Sequence, residues 1–173
     1  MEEAACLQLA HRMASLQPSA TLAMAARAGA MKASGIDVID LSVGEPDFPT
    51  PEHICEAGKA AITAGKTKYT PAAGIPALRE AIAKDYTRRS GLPVTPAHVI
   101  VSNGAKHSLH NVFTAVLNPG DEVIVPTPYW VSYAELIKLA GAKPILVETS
   151  IDEDFKLQPA ALKSAITSHT RML

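Results

Sequence analysis

Cysteine is nearly absent from this sequence. Its two copies, Cys6 and Cys55, stand far apart and outside any metal-ligand spacing. They read as free thiols of a reducing compartment. Charge of one sign is lacking too: 16 Lys and Arg face 17 Asp and Glu, for a formal net charge of -1. That balance leaves no electrostatic footprint for nucleic acid or an anionic membrane. No long apolar run exists. The most membrane-like stretch, SATLAMAARAGAM, is interrupted by Arg27 and is too short to span a bilayer. The first residues, MEEAAC, are acidic where a secretory leader is basic. The expectation is a soluble, cytoplasmic chain. Aromatic residues are few, with one tryptophan, Trp130, so each one that sits at a special place carries information.

Against these absences stand 173 residues, 47% hydrophobic and 19% charged, enough for one ordinary domain with a core. The first 35 residues read as helical, broken at Gln17-Pro18-Ser19, where Ser19 or Thr21 caps a helix running to Ser34-Gly35. The run Val38 to Val43 is strand-like and ends in a loop rich in proline. Pro51 starts a helix that reaches Gly65. A second helix runs from about Ile75 to Arg89 and stops at Ser90-Gly91.

From Val99 the pattern becomes regular. Strand 99–102 leads to helix 105–117, with Leu109, Val112, Phe113, Val116 and Leu117 on one face. Asn118-Pro119-Gly120 stops it. Strand DEVIVP leads to helix 130–140, and strand KPILVE leads through an acidic loop to helix 159–168. Alternating strands and helices with short links predict right-handed crossovers and a parallel sheet, an α/β fold. The closing TRML reads as a strand with no room to finish, so the expectation is a piece of a longer protein.

In parallel sheets ligands bind beyond the carboxyl ends of the strands. Helix N-termini there favour phosphate or carboxylate. At Ser102-Asn103-Gly104 a strand turns tightly into a helix, and Gly104 and Ala105 are small enough for close backbone approach. Lys106 occupies the helix end where the dipole disfavours a cation, as expected if it meets an anionic ligand. A tight link with a solvated lysine accounts for the same residues equally well. The turn is neither GxGxxG nor GxxxxGK[ST], so no nucleotide is indicated. At the end of the next strand, in VPTPYWVSY, Trp130 opens a helix and offers a flat face for a planar ring. The alternative is a tryptophan that plugs the helix–sheet core. In SVGEPDFPT, Gly44 lets a backbone N–H approach a carboxylate. Tyr69, between Lys66, Lys68 and Pro71, either carries its hydroxyl to a phosphate or packs on proline. Together these features describe a ligand with an anionic group and an aromatic ring, and pyridoxal phosphate fits both.

The segments VGEPDFPTP, KTKYTPAAGIPALREAIA, NPGDEVIVPTPYWVSY and GAKP closely resemble the N-terminal part of class I pyridoxal-phosphate aminotransferases, with bacterial aspartate aminotransferases the most similar subgroup. The resemblance runs from Leu16 onward. It implies the N-terminal part of the fold type I large domain, a mostly parallel sheet with flanking helices, truncated. Residues 1–50 would be an N-terminal arm and small-domain entry, and 51–173 an incomplete cofactor-binding domain. It also implies roles. Gly104, Ala105 and Lys106 hold the phosphate of pyridoxal 5'-phosphate, Trp130 stacks on its ring, and Tyr69 reaches the partner's cofactor across a homodimer. Gly44 and Trp130 contact substrate, while Thr21 and Lys106 read a distal carboxylate. The position matching Gln17 is often lysine in relatives that accept prephenate, so prephenate activity is not carried over.

The implied reaction is ping-pong amino transfer between aspartate or glutamate and a 2-oxo acid. In the family the Schiff-base lysine, the aspartate at the pyridinium nitrogen and the arginine clamp lie beyond the position of Leu173. No residue here is then catalytic, and the chain alone is expected to be inactive. Two rivals are a lyase or synthase on the same framework and a non-catalytic phosphate-ligand module. A reading frame that continues past codon 173 favours the enzyme, and a stop codon favours the module. His107 and His110 lie at metal-compatible helical spacing, yet no Cys, Asp or Glu completes a site, so no metal is expected.

Overall fold

The computed structural model describes residues 8–173, so Cys6 and the acidic start lie outside the described residues. The chain divides into two compact units, one formed by Met1–Val43 with Ala105–Leu173 and the other by Gly44–Gly104.

The first unit holds the sheet. Strands β1 (Glu122–Thr127), β2 (Lys143–Glu148) and β3 (Thr170–Met172) lie in the order β2-β1-β3. All pairings are parallel, with Ile124 opposite Ile145 and Thr127 opposite Glu148. The expected α/β class is therefore the observed one. Val123, Ile124 and Val125 are consecutive and all buried, as in a parallel strand covered on both faces. Val123 and Val125 pack with Phe113, Leu117, Ile137 and Ala142. Phe113 comes from helix α4 (Ala105–Val116), Leu117 directly follows it, and Ile137 comes from helix α5 (Ser132–Leu139). Each such side chain contributes about 1.5–3 kcal/mol by leaving water. Asp121 locks the turn before β1: its carboxylate accepts the Asn118 N–H at 2.8 Å and Arg171 Nε at 3.2 Å.

Several boundaries differ from the sequence expectation. The core-facing stripe is the partly buried Leu109 and the buried Phe113 on α4 with the buried Leu117 just past its end, and Val112 and Val116 are exposed. Trp130 precedes α5 rather than opening it, because its carbonyl accepts the Tyr133 N–H in a separate turn. Helix α6 (Pro159–Ala165) ends three residues early. There the Thr167 N–H bonds the Thr170 hydroxyl and the His169 N–H bonds the Thr167 hydroxyl, a local competition with helical bonding. Helix α1 (Ala20–Ala33) starts as expected, with the Ser19 hydroxyl accepting the Leu22 N–H. The run Val38 to Val43 is not a strand. No described strand pairs with it, and Ile39 and Leu41 are 88% and 91% exposed. Strands need a neighbouring ladder, whatever their side chains favour.

In the second unit, helix α2 (Glu52–Thr63) follows Pro51, and helix α3 (Pro76–Ser90) has Pro76 in its first turn and left-handed Gly91 at its end. The Arg79 guanidinium donates to the carbonyls of Val99 and Pro96. Residues 99–102 form no strand, the same correction for the same reason. The Val101 N–H donates to Ala73 O at 3.0 Å.

Candidate functional site

The turn before α4 is set by Gly104, whose φ of +82 is a left-handed conformation that favours glycine. Its N–H donates to Ser102 O at 2.8 Å. A Cβ added there would meet nothing within 4 Å, so the demand is conformational and the space beside the turn is open. Ala105 and Lys106 form the first turn of α4, where backbone N–H groups lack intrahelical acceptors and carry partial positive charge.

Trp130 lies just past the carboxyl end of β1, after the cis Thr127–Pro128 peptide. The fold brings it to Lys106: Nζ sits 4.7 Å from the indole centroid. Tyr133, which sequence reasoning missed, meets the indole edge-on at 5.7 Å between centroids and 89° between planes. Its spacing from Trp130, one helical turn, was the available signal. Trp130 keeps 43% of its surface exposed, so it does not plug the core. The Lys106 ammonium lies over the indole, a contact worth about 0.5–1 kcal/mol at exposed positions, and a ring stacking on that face would readily displace it. Helix-end amides, a cation and an open indole suit an anion attached to a planar ring.

The other expected residues lie elsewhere. Thr21, in the first turn of α1, lines a groove of 670 Å³ together with Met24, Arg27, Asp40, Leu41 and others. Asp40 accepts both the N–H and the hydroxyl of Ser42, and with Lys32 nearby these bonds hold its carboxyl below the usual range. Gly44 and Tyr69 belong to the second unit, where Tyr69 is fully exposed and nothing crowds Gly44. Glu135 on α5 is a second residue the sequence did not announce. Its carboxylate takes Lys138 Nζ at 2.9 Å and the backbone N–H of Gln17 at 3.0 Å. Those bonds, the one from Lys138 first, lower its pKa.

His107 is exposed and His110 half-buried on α4. Among the described residues no three His, Cys, Asp or Glu side chains are grouped to hold a metal ion. No described helix is long and apolar enough to cross a membrane.

Comparison with known proteins places these features in a family. The model of "Aminotransferase class I and II" matches residues 36–173. The aspartate aminotransferase of Geobacillus stearothermophilus is 54% identical over 165 residues, which cover 95% of this chain and 42% of the relative. The aspartate/prephenate aminotransferase of Thermus thermophilus is 49% identical, over 95% of this chain and 43% of its own length. A solved structure, the Thermus thermophilus aspartate aminotransferase with maleate, superposes with a TM-score of 0.92 at 48% identity, over 96% of this chain and 44% of that one. The chain therefore spans less than half the length of the relatives it matches.

Proposed function

The chain belongs to the aminotransferase class I and II family, and from that premise we propose that the whole protein transfers an amino group between an acidic amino acid, aspartate or glutamate, and a 2-oxo acid. The observation that carries the reading is the approach of Lys106 to Trp130 at the start of α4. Pyridoxal phosphate, when bound, supplies an electron-accepting ring that eases loss of the α-proton from an amino acid. The N–H groups of Ala105 and Lys106, with Gly104 leaving room beside them, hold the phosphate. The indole of Trp130 lies against the ring, and Tyr133 braces the indole from its edge. Gly44 and Thr21 contact substrate, with Thr21 and Lys106 reading its distal carboxylate.

Acidic substrates are supported by two findings. The similar proteins carry aspartate in their names, and one similar structure holds maleate, a dicarboxylate. Those names also support amino transfer over elimination. Ping-pong turnover, a homodimer in which Tyr69 serves the partner's site, and a cytoplasmic location belong to the same proposal. Residues 1–173 alone are inactive in this reading, because the family's lysine nucleophile has no counterpart among them.

The test is an assay of the whole protein with L-aspartate and 2-oxoglutarate. Oxaloacetate should form, should stop forming when the cofactor is stripped, and should return when pyridoxal phosphate is added. Failure with both aspartate and glutamate would refute the reading. Borohydride treatment of residues 1–173 with pyridoxal phosphate should leave every lysine unmodified at stoichiometric level.

A further inference from the structure

The peptide before α1 is tied down in an unexpected way. The 3₁₀ turn His11–Ser15 packs on α5, and Leu16 beyond it is half-buried. The tie that fixes the next residue comes from Glu135. Its side chain is only 28% exposed, and both carboxylate oxygens are used, Oε1 by Lys138 and Oε2 by the Gln17 N–H. A hydrogen bond to an ionised acceptor that is partly shielded from water is stronger than an ordinary surface bond. Two further features concentrate its effect at this point. Pro18 follows Gln17 and narrows the backbone choices of Gln17 to extended ones. Ser19 then caps α1, so the anchored residue leads within a few positions to Thr21.

The donor is a backbone N–H, so the tie does not depend on which side chain stands at position 17. The Gln17 side chain is exposed and makes no hydrogen bond among the described residues. It is therefore uncommitted, on a backbone that is fixed. The same short helix that holds Glu135 begins two residues after Trp130. Glu135 thus refers the segment 16–21 to the element that carries the indole.

We propose that Glu135 is a positioning residue whose carboxylate latches the Gln17 backbone to α5 and thereby sets how the segment leading into α1 meets the substrate side chain. This rests on the aminotransferase reading above for its kinetic consequence, though the latch itself does not. A latch of this kind acts on substrate binding, with little effect on the rate once substrate is bound.

The test uses the whole protein, with Glu135→Ala, Glu135→Gln and Gln17→Pro. Amide hydrogen exchange is measured at Gln17, and KM and kcat are measured for L-aspartate. Glu135→Ala should speed exchange at Gln17 about tenfold, the factor that corresponds to about 1.4 kcal/mol. It should also raise KM by a similar factor and leave kcat within about twofold. Glu135→Gln keeps one accepting oxygen without the charge and should fall between wild type and Glu135→Ala in both. Gln17→Pro removes the donor and should reproduce the KM effect without touching α5. Leu16 already has the extended backbone, φ −83 and ψ 138, that a residue before proline adopts. Unchanged exchange at Gln17 in Glu135→Ala would overturn the latch. So would a Glu135→Gln variant as impaired as Glu135→Ala, or a loss confined to kcat. If the wild-type protein transfers no amino groups, the functional reading falls alone, and the exchange measurement still decides the latch.

Discussion

Gly74 and Gly104 both hold positive φ, +103 and +82, yet alanine would meet different surroundings at each. At Gly104 the space is open, so Gly104→Ala should cost only the left-handed backbone strain, about 1–2 kcal/mol. At Gly74 an added Cβ would lie 2.5 Å from Val101 Cγ2. The β-branched Val101 cannot swing aside freely. Gly74→Ala should therefore add about 1–3 kcal/mol of overpacking to the same strain. Thermal melts of the whole protein should show the larger Tm loss for Gly74→Ala, and equal losses would contradict the close contact. Asp121 makes a pH prediction. The Asn118 N–H, with Arg171 beside it, holds its carboxyl below its ordinary value against the opposing effect of desolvation. A carboxyl lowered on folding stabilises the fold above its unfolded pKa, near 3.9. The contribution disappears as pH falls from there through the lower folded value. Wild type should lose more stability between pH 5 and pH 2 than Asp121→Asn, a comparison that urea titration at each pH can make.

At the scale of elements, helices differ in what holds them. Helix α5 presents Ile137, 1% exposed, to the sheet core. Ile137→Ala should cost about 2–5 kcal/mol through lost burial and the cavity left behind. Helix α1 has no buried residue, so its start leans on the Ser19 cap. Ser19→Ala should cost about 0.5–2 kcal/mol, localised to α1, and Ser19→Asp should restore it. Exchange at the α1 amides would read this directly, and a global Tm change with no local change in α1 would be the wrong outcome.

At the scale of the whole chain, the sheet of the first unit has three strands among the described residues and two edges, β2 and β3. Ile39 and Leu41 stand almost wholly in water within the same unit, Phe48 and Tyr69 do so in the other, and Ile62 there is largely exposed. Open parallel edges and bare apolar side chains invite association. Purified residues 1–173 should elute as oligomers or aggregates on size exclusion and melt without cooperativity. A sharp monomer peak with a cooperative transition would count against this account of the surface.

The sequence by itself determined the elements whose signals are local. The Ser19 cap, Pro76 at the start of α3, Gly91 and Gly141 past helix ends, and the unbroken Val123–Ile124–Val125 run all act through the chain's own backbone or through burial on both faces. The family was legible for a related reason: its motifs keep fixed order and spacing along the chain. Tertiary structure decided what needs a neighbour. Val38 to Val43 and residues 99–102 have strand-forming side chains and no ladder, because backbone hydrogen bonds must be accepted by another segment. Trp130 beside Lys106 and the carboxylate of Glu135 on Gln17 depend on where crossovers return the chain. No local preference encodes a distance between residues so far apart in sequence.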